Sequence, residues 1–370
     1  MIFYGCNNLE NIDIPEKVKN IGDSVFGDCI SLKKIKIPKN VSDIASTAFY
    51  NCTNLEKIEI DKENNNFVYE NGIVLNKSKT AMVCILPIAI NGNEFTVPNT
   101  VTELKNGNIT VYKQITKLNL PASINSIDAT VFLFMNVTDI TIDSKNETYM
   151  ATDEAIYNKD KSLIIYYFAR KENVTLEEGV RHIGSYCFIT NTKMKTITLP
   201  NSLKAIGTQA FWKCNDLQEL KLGKNIENLN PLFIYQVDNV KVTIDKANQN
   251  YTIENNIIFN KDKTKLITII GDPEEFTVPN SVKEIGDRAF HAKNMKKITI
   301  PETVTKIGES FNYCWNLERI EFPSSVTEIS KNCFNNSNKL KEIIINNKKG
   351  MIAGAPWGCS YGEKAIEYKY

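Results

Sequence analysis

The chain repeats itself about every 23 residues, and this period constrains its fold more than any other feature. Residues 9–31 read LENIDIPEKVKNIGDSVFGDCIS and residues 32–54 read LKKIKIPKNVSDIASTAFYNCTN. The same frame returns as MKTITLPNSLKAIGTQAFWKCND from Met194 and as MKKITIPETVTKIGESFNYCWN from Met295. A unit of this length cannot bury its own apolar face, so neighbouring units must stack into a solenoid. Because a solenoid presents a long surface, the period favours binding, and catalysis would need separate evidence.

The first half of each repeat predicts a short strand. In residues 32–37, Ile35 and Ile37 alternate with lysines, which is the pattern of a strand with one inward face. Pro38 follows at once and ends the strand, because proline cannot donate to a ladder. Equivalent prolines occur elsewhere in the chain: Pro15, Pro98, Pro121, Pro200, Pro279, Pro301 and Pro323.

The second half of each repeat predicts a short helix. Val41, Ile44, Ala48 and Cys52 follow one another at spacings of three and four, which gives one helical face. A glycine often follows the isoleucine equivalent to Ile44 and predicts a bend, and the next residue is usually a good N-cap. These positions hold Gly22, Gly184, Gly207, Gly286 and Gly308, then Asp23, Ser46, Ser185, Thr208 and Asp287. The sequence therefore predicts an α/β solenoid with a parallel concave sheet and short convex helices.

Three segments interrupt the period in the same way, at about residues 61–87, 143–169 and 245–270. Each carries an aromatic residue (Phe67, Tyr149 or Tyr251), then two apolar runs around a polar turn. This pattern predicts a β-hairpin inserted into a coil. We find no linker, so we expect residues 1–370 to form a single domain. The segment 346–370 is interpreted as a C-terminal cap that covers the exposed core edge.

Composition excludes two classes of partner. The chain is 42% hydrophobic and 24% charged, with a net charge of +1. Nucleic acid is not expected, because phosphate binding needs a surplus of Lys and Arg. Membrane insertion is not expected either, because no apolar run approaches about 20 residues. Phe3 and Cys6 occupy the places that Phe26 and Cys29 hold in the next repeat, so we expect the chain to begin inside a repeat of a longer protein.

The unit L-x-x-I-x-I-P-x-x-V-x-x-I-G-x-x-A-F-x-x-C resembles the BspA-type leucine-rich repeat family, and so do the inserted hairpins and the ending GAPWGCSYGEKAIEYKY. The resemblance implies a right-handed leucine-rich repeat coil in a cell-surface or secreted protein of host-associated bacteria, with relatives in some protists. It also implies adhesion to host or matrix proteins. Two departures are visible: Asp128 replaces the usual glycine, and Phe95–Gln114 lacks the Ala-Phe pair.

Cysteine and histidine do not predict a reactive site. Most of the nine cysteines follow the repeat, as Cys6, Cys29 and Cys52 do, so we expect stacked thiols in the core. Close-set ligand pairs for zinc are missing from the sequence. The two histidines, His182 and His291, lie about four coils apart and are expected to face solvent. No nucleophile, base or phosphate loop is assembled, so neither an enzyme nor a cofactor is predicted.

The outward positions of the concave strands mix both charges with threonine. Lys34, Lys36 and Lys57 form the one clear basic cluster and are candidate partner-binding residues. The ordinary interpretation of such a face is a solvated sheet surface, and the alternative is a charge-guided docking face.

Large rings follow the core Phe along one lateral edge. Tyr50, Trp212, Tyr313 and Trp315, with His291, occupy these places. They either pack partly against the next coil or form an aromatic ridge that meets a partner, since Trp and Tyr are enriched at interfaces. These four aromatic residues are therefore candidate partner-binding residues.

The sequence predicts a non-catalytic cell-surface or secreted protein that mediates macromolecular recognition or adhesion. A protein is the expected partner and a glycan is the alternative. A structural spacer or scaffold without a ligand of its own is the other function that the sequence leaves open, and the oligomeric state also stays open.

Overall fold

The structure is a computed structural model that describes residues 2–105, 109, 112–133, 135–189, 191–237, 239–291 and 294–369. The chain divides into two compact units, Met1–Ala169 and Arg170–Tyr370. The single-domain prediction stays a prediction. Tyr370, the last residue of the predicted cap, lies outside the described residues, as do residues 106–108, 110 and 111 of the coil that lacks the Ala-Phe pair.

In the first unit, a coil contributes a longer strand to one parallel sheet and a two-residue strand to another. The described part of this unit holds fifteen strands: β1 (Asn20–Ile21), β2 (Lys34–Ile37), β3 (Asp43–Ile44), β4 (Lys57–Ile60), β5 (Phe67–Glu70), β6 (Ile73–Asn76), β7 (Met82–Ile85), β8 (Glu94–Thr96), β9 (Glu103–Leu104), β10 (Lys117–Leu120), β11 (Ser126–Ile127), β12 (Asp139–Ile142), β13 (Tyr149–Ala151), β14 (Ala155–Asn158) and β15 (Leu163–Tyr167). β2 pairs in parallel with β4, and β1 pairs in parallel with β3. Further on, β10 lies between β8 and β12, and β9 pairs with β11.

The second unit is wound in the same way. Its described part holds eighteen strands: β16 (Asn173–Thr175), β17 (His182–Ile183), β18 (Thr196–Thr198), β19 (Ala205–Ile206), β20 (Glu219–Leu222), β21 (Asn228–Leu229), β22 (Lys241–Ile244), β23 (Tyr251–Glu254), β24 (Ile257–Asn260), β25 (Lys265–Ile269), β26 (Glu275–Thr277), β27 (Glu284–Ile285), β28 (Lys297–Thr299), β29 (Lys306–Ile307), β30 (Arg319–Phe322), β31 (Glu328–Ile329), β32 (Glu342–Ile345) and β33 (Ile366–Tyr368). The longer strands β16, β18, β20 and β22 form one parallel sheet. The two-residue strands β17, β19 and β21 form a second parallel stack, and β27, β29 and β31 form another.

The predicted strands and their inward faces are confirmed. In β2, Lys34 and Lys36 are exposed while Ile35 and Ile37 are buried. Each apolar column continues through the register, since Ile35 lies opposite Ile58 and Leu220 lies opposite Val242. Each of the two units is therefore a solenoid of stacked parallel strands.

The short convex helices, and with them the α/β class, are not confirmed. Helical structure in the described residues consists of 3₁₀ turns at Pro87–Ala89, Ala129–Phe132 and Gly362–Ala365. The segment predicted to start a helix instead contributes a two-residue strand, such as β3, and then a turn. The residues assigned to the inward face, Val41, Ile44, Ala48 and Cys52, are nevertheless all buried. The spacing of three and four correctly predicted which side chains are buried. The backbone conformation that it predicted, a helix, is not the one observed.

Hydrogen bonds between coils explain why the described lateral turns do not form α-helices. The lateral turn, defined as residues 22–30 and its equivalents, bonds to the next coil: Phe26 N donates to Ala48 O at 3.0 Å, and Asp28 N donates to Tyr50 O at 2.8 Å. An α-helix would direct these N–H groups to carbonyls four residues earlier. One or two residues of several lateral turns also leave the helical region, as Ser24 (φ 50°) and Asp28 (φ 59°) do in the first of them.

Two side-chain columns run through the lateral turns. The core phenylalanines stack nearly parallel, with centroids 5.7 Å apart for Phe26–Phe49 and 5.2 Å for Phe188–Phe211. Three residues after several of the core phenylalanines, a thiol donates to a carbonyl of the preceding coil, as Cys52 does to Phe26 O and Cys214 does to Phe188 O. The thiols donate to carbonyl oxygens of the preceding coil, and the stacked phenylalanine rings fill the interior.

Close approach of neighbouring coils explains the glycine at the bend. A Cβ at position 207 would lie 2.6 Å from the backbone nitrogen of Ser185, and one at position 308 would lie 2.9 Å from that of Asp287. Gly207 and Gly308 are needed there because the preceding coil passes within contact distance, whereas their φ angles are ordinary.

The three interrupting segments each form a three-stranded antiparallel sheet. β5–β6–β7, β13–β14–β15 and β23–β24–β25 are the three meanders. Asn71 and Gly72 turn the first at φ 47° and 82°, and Asn255 and Asn256 turn the third at φ 50° and 62°. Both pairs match the two-residue turns that favour hairpins. β25 also pairs in parallel with β27, so the third meander continues into the stack of two-residue strands.

A buried asparagine fixes the start of each meander: Asn64, Asn146 or Asn248. The Asn146 amide donates to Pro121 O, Ala122 O and Ile124 O, the last at 2.7 Å. Its side-chain oxygen accepts from the backbone nitrogens of Thr148 and Tyr149 at 2.9 and 2.7 Å. The other two asparagines make the equivalent bonds.

Candidate functional site

Nearby carboxylates compensate the positive charge of the basic cluster on the concave face. Lys34 lies opposite Lys57 in the β2–β4 register, and Lys36 lies opposite Glu59. Lys57 contacts Glu59 at 3.0 Å, and Lys36 contacts Asp61 at 3.2 Å. Lys57 and then Lys34 and Lys36 hold the pKa of Glu59 below its usual value. The three lysines therefore share the cluster with two carboxylates.

The concave face of the second unit shows the same compensation. Glu219 lies 3.0 Å from Lys221 and 3.9 Å from Lys241. Arg319 contacts Glu342 at 3.0 Å on the neighbouring strand. Exposed pairs of this kind contribute little free energy, and they leave little net field for steering a charged partner. The arrangement is that of a solvated sheet surface.

Tyr50 belongs to the first unit and lies beside a small recess there. Its side chain is 37% exposed. The recess has a volume of about 220 Å³ and is also lined by Pro87 and Tyr112. The Tyr112 hydroxyl has a structural role, because it donates a buried hydrogen bond to Ile85 O at 2.6 Å.

The other three aromatic candidates come together in the second unit. They line a depression of about 460 Å³ on the lateral edge, which we name the aromatic cleft. Six rings border it: Tyr186, Trp212, Tyr235, His291, Tyr313 and Trp315. Thr208, Gln209, Gln236, Arg288 and Asn312 supply polar atoms along its lining.

Edge-to-face contacts order the rings of the aromatic cleft. Centroid distances are 6.2 Å for Tyr186–Trp212, 5.6 Å for Tyr235–His291 and 6.4 Å for Tyr313–Trp315, all in T-shaped geometry. Such pairs contribute about 0.5–1.5 kcal/mol beyond the area they bury. The contacts therefore hold each ring in a defined orientation while part of its face stays accessible.

Trp212 is further fixed by polar contacts. Its indole Nε1 donates to Gln236 Oε1 at 2.9 Å, which links two successive coils. The Lys213 ammonium lies 5.1 Å from the indole centroid, within the range of a cation–π contact. This side chain is positioned before any partner arrives.

Two of the aromatic residues occupy left-handed backbone positions. Tyr186 has φ 60° and Tyr313 has φ 65°. Equivalent positions in other coils hold residues such as Ser24, Gln209 and Asn336. A bulky residue there costs free energy, and Tyr313 remains 47% exposed, so burial does not offset that cost. Trp315 is 42% exposed beside it.

The third meander lies, in sequence, between the coils that line the aromatic cleft. β23, β24 and β25 lie in sequence between the coil of Tyr235 and the coil of His291. Where the chain leaves the meander, Gly271 and Asp272 line an adjoining recess of about 390 Å³ together with Tyr235 and His291. The insertion thus follows Trp212 and precedes Tyr313 and Trp315 in the sequence, while the Tyr235 and His291 rings on its two sides remain in contact.

His291 does not face solvent as the sequence predicts. It is half-buried against Tyr235, with Nδ1 3.5 Å from Arg288 O. Desolvation lowers its pKa to about 4, so the ring is neutral at pH 7. His182, in contrast, is exposed.

The cysteines and carboxylates do not assemble a metal centre in the described residues, since no group of three or more candidate ligands lies together. Eight cysteines are buried free thiols and Cys6 is exposed. Burial raises the pKa of Cys52 and Cys84 to about 12. Over the same described ranges, no helix has the length and apolarity to cross a bilayer.

Sequence reasoning missed Tyr186, Tyr235 and Arg288 as members of the aromatic cleft. Tyr235 follows Ile234 in the lateral turn of its coil, and Tyr186 and Arg288 both follow an N-cap-type residue. An alignment of the lateral turns would have found them, because these positions fall on the same edge as Trp212.

The chain matches the BspA type leucine rich repeat region in six copies, over residues 1–76, 89–163, 161–274 and 270–355. A comparison with curated proteins gives no match. Among solved structures, a leucine-rich repeat protein from Eubacterium ventriosum is 23% identical at a TM-score of 0.44; the alignment covers 75% of this chain and 65%, less than two thirds, of that protein. The pneumococcal vaccine antigen PcpA is 21% identical at a TM-score of 0.41, with 76% and 82% covered. A leucine rich cell surface protein from Faecalibacterium prausnitzii is 19% identical at a TM-score of 0.38, with 98% and 88% covered.

Proposed function

This chain belongs to the BspA-type leucine-rich repeat family, and from that premise we propose that it is a non-catalytic recognition protein of the cell surface or of the secreted fraction. It binds a macromolecular partner, foremost a protein, through the aromatic cleft. The observation that carries the proposal is the pair Tyr313 and Trp315, two large rings that are 47% and 42% exposed beside a cleft.

The composition of the aromatic cleft supports this role. Binding hot spots are enriched in Trp, Tyr and Arg, and the cleft holds two Trp, three Tyr and Arg288. Its rings are already ordered by T-shaped contacts and by the Trp212–Gln236 bond. Because little side-chain freedom remains to be lost on binding, the entropic cost of association is reduced.

Binding by the purified chain tests the proposal. A panel of extracellular-matrix and serum proteins would be immobilised, and saturable binding measured by biolayer interferometry. Trp315→Ala and Tyr313→Asn should each weaken binding by about tenfold or more, the scale of a hot spot. Tyr361→Ala is the matched control, because Tyr361 is also 47% exposed but lies outside the aromatic cleft. Saturable binding that both cleft variants retain in full would contradict the proposed site.

The basic cluster stays a second candidate contact in the same assay. A variant that combines Lys34→Gln, Lys36→Gln and Lys57→Gln should change affinity little, because Glu59 and Asp61 already compensate two of these charges. A loss of binding in this variant alone would move the interface to the concave face.

The location is tested on intact cells that express the protein. Surface proteins would be shaved with protease, and the released peptides identified by mass spectrometry, with a cytosolic protein as the lysis control. We expect peptides that contain Trp212 or Lys34–Lys57 to appear without lysis. Their appearance only after lysis would contradict a surface role.

A structural spacer is the second candidate function. The charge pairing on the concave face favours it, because a face whose charges satisfy one another needs no partner. Absence of saturable binding across the panel, together with surface display, would favour the spacer over the recognition protein.

A further inference from the structure

The charge of the aromatic cleft specifies the chemistry of its ligand. Among the described residues that line it, Arg288 alone carries a charge at pH 7, because His291 is neutral there. Arg288 is exposed, and no ion pair joins it to a carboxylate within the described residues. The concave face differs, since Lys36, Lys57, Lys221 and Arg319 contact carboxylates there. The described lining of the cleft therefore offers one cation without a carboxylate partner, and the charged groups of the adjoining recess are Lys213 and Asp272.

Ring faces and neutral amides surround that cation. The negative face of an aromatic ring attracts the polarised C–H bonds of an apolar surface laid against it. Trp315 and Tyr313 present partly exposed rings, and Gln209 and Asn312 supply amide groups at the lining. A pyranose ring matches this combination, because one of its faces is lined by C–H bonds and its rim carries hydroxyls.

We infer that the aromatic cleft binds an acidic sugar at the end of a glycan, with the sugar ring stacked on Trp315 or Tyr313 and its carboxylate paired with Arg288. The inference rests on the proposed recognition function and specifies what the partner presents there. A guanidinium binds a carboxylate through two parallel hydrogen bonds, which adds orientation to attraction. The cleft volume, about 460 Å³, lies within the range of small-ligand sites and suits one or two sugar residues.

A proline-rich peptide is the other ligand class that uses aromatic grooves, and the structure favours it less. Recognition of an extended peptide requires donors for its carbonyl groups. The Trp212 indole N–H is already bonded to Gln236, so the cleft offers this ring as a stacking surface and not as a donor. The combination of one cation with exposed ring faces therefore favours an acidic sugar over a proline-rich peptide.

The test measures binding of the full chain to sialyllactose, to lactose, and to a uronic-acid-terminated disaccharide, with each acidic probe also prepared in carboxyl-reduced form. We expect one or both acidic probes to bind, and lactose and the carboxyl-reduced forms to bind at least about tenfold more weakly, since a hydrogen bond to a charged group contributes more than a neutral one. The two acidic probes separate sialic acid from uronic acid as the source of the carboxylate.

The decisive variant is Arg288→Gln, and it is expected to fold. Gln209 holds the equivalent left-handed position at φ 50°, close to the 54° of Arg288, so glutamine is accommodated there. The variant should lose about 10- to 100-fold in affinity for the acidic probe and leave lactose binding unchanged. Arg181→Gln, at an exposed arginine of the same unit outside the cleft, is the matched control and should bind as the parent does.

The outcomes separate this inference from the proposed function. Failure of both acidic probes to bind more tightly than their carboxyl-reduced forms, equal affinities of Arg288→Gln and Arg181→Gln for the acidic probe that binds, or binding of a proline-rich peptide in place of either acidic sugar would overturn the acidic-sugar assignment. Protein binding that still depends on Trp315 would then leave the recognition function standing. Loss of both sugar and protein binding in the parent chain would overturn both.

Discussion

Asn191 departs from the column of thiols that lines the lateral turns. It stands three residues before Met194, where Cys52 precedes Leu55 and Cys214 precedes Leu217. In other coils the side chain at this position has a hydrogen-bond partner: Cys214 donates to Phe188 O, and Ser337 donates to Phe311 O at 2.5 Å. Asn191 is buried, and neither its amide nitrogen nor its side-chain oxygen has a hydrogen-bond partner among the described residues.

Asn191→Cys should therefore raise the free energy of unfolding by about 1–3 kcal/mol, because the desolvation cost of the unpaired amide is removed. Urea denaturation followed by circular dichroism measures the change. Cys214→Asn, the reverse exchange in the next coil of the same column, should destabilise the protein. A destabilised Asn191→Cys would mean that the amide has a partner that the structure does not show.

His291 predicts a pH dependence of stability. Its folded-state pKa is lowered to about 4 by desolvation, from an ordinary value of 6.5. Arg288, Asp272 and Lys213 are the charged groups along the surrounding recesses. Since the unfolded chain binds a proton more readily, stability should fall as pH decreases from 6.5 to about 4, by no more than about 3 kcal/mol.

Denaturant midpoints at a series of pH values test this dependence. His291→Phe should flatten the slope in that interval, whereas His182→Phe should not, because His182 is exposed. Parallel slopes for the parent and for His291→Phe would contradict the role of His291.

At the scale of the element, each meander depends on one asparagine. Asn146→Ala removes an amide that donates to the carbonyl oxygens of the preceding coil and leaves the backbone nitrogens of Thr148 and Tyr149 without their acceptor. We expect a loss of about 2–4 kcal/mol in the free energy of unfolding, on the scale of several unsatisfied buried groups. Asn125→Ala, at an exposed position of the same unit, is the control and should change stability by less than about 0.5 kcal/mol. Equal effects of the two substitutions would contradict the anchoring role.

Elements were predictable where a local rule decides them. The Ile35/Ile37 alternation and Pro38 decide β2, because burial of one face and loss of a donor are properties of the residues themselves. The lateral turn was not predictable in this way. Its N–H groups bond to the next coil, so the backbone depends on a neighbour, while a spacing of three and four describes a helix and a bent turn equally well.

At the scale of the whole molecule, the repeat period predicted the solenoid but not the composition of the aromatic cleft. The period places Trp212, Tyr313 and Trp315 on one edge. Which rings meet depends on the third meander and on the left-handed positions of Tyr186 and Tyr313, and no spacing within a single repeat encodes those. The basic cluster shows the converse, because its lysines were visible in the sequence and their pairing with Glu59 and Asp61 was not.

The stacked thiols predict the reactivity of the native chain. Of the nine cysteines, Cys6 alone is exposed, and burial raises the pKa of thiols such as Cys52 to about 12. Because the thiolate is the reactive form, iodoacetamide at pH 8 should label Cys6 rapidly and the others only on unfolding. Peptide mass spectrometry locates the label, and Cys6→Ser should abolish rapid labelling. Rapid modification of Cys52 or Cys214 in the native protein would contradict this arrangement.

The hydrogen bonds that join each lateral turn to the next coil also determine how such a surface can be altered. Since each coil offers the same donors and acceptors to its neighbour, a whole coil can be duplicated or deleted without breaking the thiol and phenylalanine columns. Each such change would shift the rings on one side of the third meander by one strand spacing, about 4.8 Å. A coil duplicated between Tyr235 and His291 would thus widen the aromatic cleft by one fixed step, whereas deletion of a coil within the cleft would remove part of its lining.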